Sequence, residues 1–122
     1  MELGRMPGQA REAIGIMKLS IDWEKFESLQ NDLLHEIISS TCQSLIGAGI
    51  SREKIPDLVT EIAFDVCCAI DGSTVIRRAD GRVLPILTFA KDASREELIS
   101  SGSGSWMHEL VHDAVKKYLE LK

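Results

Sequence analysis

IPDLVTEIAFDVCCAIDGSTVIRRADGRVLPILTF, residues 55–89, changes its hydrophobic period partway along. In its first half Ile55, Leu58, Val59, Ile62, Val66 and Ile70 recur at steps of three and four. That spacing lines one face of a helix. Pro56 suits the first turn, and Asp71-Gly72 stops the helix. In its second half, Thr74–Arg78 and Val83–Phe89 flank Ala79-Asp80-Gly81-Arg82, the pattern of a β-hairpin. Asp-Gly favours a two-residue turn with both central residues at positive φ, which predicts that Arg77 faces Leu84 and Val75 faces Ile86. Pro85 cannot donate to a ladder, so its strand belongs at an edge or a bulge. Residues 83–89 are apolar on both faces, and a lone hairpin is marginal in water. One face can lie on the helices. The other needs a cover, from residues 13–19 or a second copy of the chain.

Toward the N-terminus, Phe26, Leu29, Leu33, Leu34, Ile37, Ile38, Thr41 and Leu45 form another apolar stripe. Glu24, Ser28, Asn31, His35 and Ser39 fall opposite it, so His35 should face solvent. Ser20 or Asp22 can cap this helix, and Gly47-Ala48-Gly49 ends it. The two helices, joined by a short Gly-containing loop, should form an antiparallel αα-hairpin. Residues 1–12, with Gly4, Pro7 and Gly8, read as a loose arm before a single domain over 13–122. Toward the C-terminus, Ser94-Arg95-Glu96-Glu97 has the form of a capping box for a short helix through about Ile99. Ser100–Ser105 is flexible by composition. A last helix, from Trp106 to about Leu121, carries Met107, Leu110, Val111, Ala114, Val115 and Tyr118 on its core face. The expected fold is α+β: an antiparallel αα-hairpin, a central β-hairpin, and a C-terminal helix packed on it.

The bulk properties narrow the function classes. A chain of 122 residues can bury a core without disulfides or a metal. A net charge of −5 argues against non-specific binding to nucleic acid or an anionic membrane. Arg77, Arg78 and Arg82 cluster, but at one hairpin end in an acidic chain. Cys42, Cys67 and Cys68 give an odd count with no C-x-x-C, which is neither a disulfide framework nor a zinc ribbon. With no signal-like or membrane-spanning apolar run, the expected compartment is the cytoplasm.

One motif carries chemistry. His108-Glu109-Leu110-Val111-His112 spells H-E-x-x-H. On a helix, residues i and i+4 share a face, so His108 and His112 can reach one zinc ion, with Glu109 beside them to take a proton from zinc-bound water. These five residues resemble the signature of the zincin metallopeptidases, and the resemblance ends with them. Zincins take a third ligand from downstream, whereas only ten residues follow His112 here and Glu120, eight residues on, lies roughly 12 Å further along the helix. His35, Cys67, Cys68 and Asp71 are the upstream candidates. A Gly-Ser loop before a helix, here Ser103-Gly104-Ser105, can also cradle an anion.

The sequence therefore favours a non-catalytic binding or accessory domain, acting through a protein partner or its own homodimer at the apolar 83–89 strand. The alternative is a zinc-dependent hydrolase or peptidase, with His108 and His112 as ligands and Glu109 as base.

Overall fold

The computed structural model describes residues 18–74, 76–90, 92 and 96–120. The expected loose arm lies outside the described residues. The observed order is β1 (Lys18–Ile21), α1 (Trp23–Gly47), α2 (Ile55–Ile70), β2 (Ile76–Arg78), β3 (Gly81–Val83), β4 (Phe89–Ala90), β5 (Glu97–Ser100) and α3 (Met107–Glu120). The class is α+β, in one compact domain.

The helices begin and end where local chemistry dictates. Asp22 caps α1 by accepting from the Lys25 backbone N–H at 3.1 Å. Gly49 (φ 83°) turns the chain out of α1, and Gly72 (φ 79°) turns it out of α2; L-residues avoid this region. Each helix then supplies buried residues at three- and four-residue steps. These are Leu34, Ile38 and Cys42 from α1, Ile55, Val59, Ala63 and Cys67 from α2, and Met107, Val111, Val115 and Tyr118 from α3. The αα-hairpin of α1 and α2 receives α3 against both members. Burying each larger aliphatic side chain contributes about 1.5–3 kcal/mol, so this three-helix seam is the main source of stability.

The strands depart from the sequence reading in three places. β2 and β3 pair as Ile76↔Val83, Arg77↔Arg82 and Arg78↔Gly81, so Arg77 faces Arg82 and not Leu84. The two-residue turn is Ala79-Asp80, with the Arg78 guanidinium holding the Asp80 carboxylate at 2.9 Å. Gly81 takes its positive φ (132°) inside the strand. The expected Val83–Phe89 strand stops at Val83, because Pro85 lacks the N–H that would continue the ladder. Only Phe89–Ala90 is extended again, in a different sheet.

The helix expected through Ile99 is not formed. Glu97–Ser100 is a strand, β5, paired parallel with β1 and antiparallel with β4. A one-turn helix gains too few backbone bonds to outweigh its nucleation cost, whereas Glu97–Ser100 fills the ladder between two partners. This sheet rests on the start of α1, where Phe89 meets Phe26 edge-on at 5.4 Å and Ile99 is buried.

Candidate functional site

The start of α3 is held from outside the helix. Trp106, the residue before Met107, has no side-chain acceptor with which to cap it. Asp71, at the end of α2, does so instead, with a side chain fully withdrawn from solvent. Its Oδ2 accepts the His108 backbone N–H at 2.7 Å and lies 2.5 Å from His108 Nδ1. Its Oδ1 accepts the Ser105 hydroxyl at 2.5 Å. Gln30, buried on α1, presents Oε1 to the Trp106 N–H at 2.8 Å. A helix N-terminus attracts negative charge, and here the chain's own carboxylate fills that position.

That occupancy bears on the anion-cradle reading. The place an anion would take at the head of α3 holds Asp71. The Gly-Ser loop before it is also tied down, contrary to the flexibility its composition suggests. Gly102 N–H donates to Ser100 Oγ, Ser103 N–H to Ser101 Oγ, and Ser101 Oγ to the Gly104 carbonyl, at 3.0–3.1 Å. Gly102 (φ 88°) also lies against Ile21, where a Cβ would meet Cγ2 at 3.2 Å.

His108, Glu109 and His112 all fall on α3. His108 is partly buried, and its Nε2 sits 3.9 Å from Glu109 Oε2. His112 and Glu109 are exposed. Both imidazoles pack edge-on against Phe64 of α2, with centroids at 5.9 Å for His108 and 6.4 Å for His112. Of the upstream candidates, the fold brings Asp71 to His108 and leaves His35 elsewhere, exposed and edge-on to Tyr118 at 5.4 Å. Cys67 is in the helical core. Among the described residues no three His, Cys, Asp or Glu side chains are grouped so as to hold a metal ion.

Burial pushes the Cys67 thiol up to about 12, with the Asp71 charge and the neighbouring Cys68 adding to it. Desolvation, Asp65 and Asp71 raise Cys68 as well. Thiolate is the nucleophilic form, so this pair is poorly suited to nucleophilic work.

Beside His112 an open cleft of about 370 Å³ runs between α2 and α3, lined by Asp57, Thr60, Glu61, Phe64 and Asp65. Asp57, Glu61 and Asp65 stand at four-residue steps along α2, which makes one acidic row. The hairpin has the opposite character. Ile76 is 49% exposed, Val83 45%, Leu84 56% and Ile86 66%, and Arg77, Arg78 and Arg82 stand among them.

The sequence reading overlooked Gln30 and Phe64 as members of this constellation, placed Ser105 only in the anion-cradling loop, and had Asp71 both as a helix stop and as one of several upstream ligand candidates. The one available signal was Gln30, a polar residue four positions from both Phe26 and Leu34 in the apolar stripe. No protein-family model, curated protein or solved structure matches the chain.

Proposed function

We propose that this chain is a non-catalytic docking domain that associates with a second copy of itself, the hairpin of one copy entering the acidic cleft of the other. The observation that carries the reading is the set of exposed apolar side chains at Ile76, Val83, Leu84 and Ile86 on a hairpin with two unpaired edges among the described residues. Contiguous exposed apolar surface of this kind marks interaction sites. Edge-to-edge pairing of two hairpins would set arginines of both copies side by side, which is unfavourable. The acidic row on α2, beside Phe64, offers these arginines carboxylates and an aromatic surface.

The test is molar mass by light scattering after size exclusion, at about 0.05 M and about 1 M salt, across which screening shortens the electrostatic range to about 3 Å. The native chain is expected above its 13.5 kDa monomer mass at low salt and nearer to it at high salt. Arg77→Glu with Arg82→Glu should give monomer, as should Glu61→Arg, and mixing the two variants should restore association. A native chain that stays monomeric at low salt and high concentration sinks the proposal.

A second reading keeps one specific support. Metal-bound histidines commonly donate their other ring nitrogen to a carboxylate, and Asp71 stands at that nitrogen of His108. Metal analysis of protein purified without added zinc, paired with His112→Ala, tests the zinc hydrolase. Stoichiometric zinc lost in the variant would support it, and metal-free protein with an unchanged variant would end it.

A further inference from the structure

A further cavity lies away from both the motif and the hairpin. It has a volume of about 630 Å³ and sits where the end of α1, the 50–56 segment and the end of α3 converge. Its walls are mostly aliphatic, including Ile46, Ile50, Ile55 and Leu119, with the Tyr118 ring on one side. Arg52 also lines it, and among the described residues no carboxylate pairs with Arg52. Small-molecule sites are typically apolar hollows of roughly 300–1,000 Å³ with a few polar groups that fix orientation.

We infer that this cavity is a binding site for an aliphatic carboxylate of medium chain length, the tail lying against Ile46, Ile50 and Leu119 and the head group meeting the Arg52 guanidinium. One cation on a mostly apolar lining, with Gln43 as a neutral polar neighbour, selects an amphipathic anion over a neutral or cationic molecule. Guanidinium matches carboxylate geometry with two parallel N–H donors. Tail burial supplies the affinity, since each buried methylene tightens binding about fourfold.

The probe is decanoate, kept below its micelle concentration and titrated into the full chain while backbone amide resonances are followed. Saturable shifts are expected at Cys42, Gln43, Ile46 and Ile50. Octanoate should bind about fifteenfold more weakly, through its two missing methylenes. Arg52 is exposed in a loop, so Arg52→Gln leaves the fold intact and should weaken decanoate about tenfold. Decanol, with a similar tail and no charge, should bind the native chain and the variant alike. Non-saturating shifts, shifts centred elsewhere, or equal affinity of the native chain for decanoate and decanol would overturn the assignment.

Discussion

Removing the carboxylate of Asp71 should unfasten the last helix. In Asp71→Ala three donors lose their acceptor: the Ser105 hydroxyl, the His108 backbone N–H and His108 Nδ1. Loss of a helix cap costs about 1 kcal/mol. Each of the other two bonds, made to a charged group, contributes about 1.5 kcal/mol. Releasing a buried carboxylate from its desolvation penalty offsets part of this, so the net loss is about 3 kcal/mol. Native domains hold about 5–15 kcal/mol in total, so the variant should still fold with its melting temperature lowered by about 12 °C, at about 4 °C per kcal/mol for a chain of this size. Urea denaturation followed by circular dichroism measures the loss directly. Ser105→Ala and His108→Ala should each cost about 1–1.5 kcal/mol, and Asp71→Ala should cost less in the His108→Ala background than alone. A loss below about 1 kcal/mol in Asp71→Ala, or full additivity in the cycle, would refute the claim that this carboxylate fastens α3.

Three other perturbations test the packing around it. Gln30→Leu keeps the apolar stripe but strands the Trp106 N–H, and should cost about 1–2 kcal/mol by urea denaturation. Gly72→Ala should cost at least about 1 kcal/mol, because Gly72 sits at φ 79° and a Cβ there would meet the Pro85 carbonyl oxygen at 3.1 Å. Cys67 keeps its proton in the fold while the unfolded thiol releases it above its ordinary range, so stability is full below pH 9 and falls by about 1.4 kcal/mol per pH unit from there toward 12. Melting temperatures across that range should drop less steeply in Cys67→Ala.

How legible the fold was follows the reach of each interaction. The helices show in the sequence because their signals are local: a four-residue apolar step, Asp22 at a cap, Pro56 in a first turn, Gly49 and Gly72 at the exits. Glu97–Ser100 does not, because what makes it a strand is Lys18–Ile21, far away in sequence, while its local neighbours imitate a helix start. The hairpin falls between these cases. Its existence is local, but its register depends on where Gly81 spends its positive φ and on Arg78 catching Asp80. The constellation around the motif divides in the same way. His108, Glu109 and His112 are adjacent in sequence and were found together, whereas Asp71, Gln30 and Phe64 join them only through packing of helices that the sequence cannot orient.

The parallel pairing of β1 with β5 fixes an order of events in folding. Ser20 and Glu97, bonded across that ladder, stand 77 positions apart, so their meeting closes a long loop whose entropy must be offset by contacts already in place. The neighbouring helices α1 and α2 have no such wait. During synthesis this ladder therefore cannot be completed until residue 100 has left the ribosome.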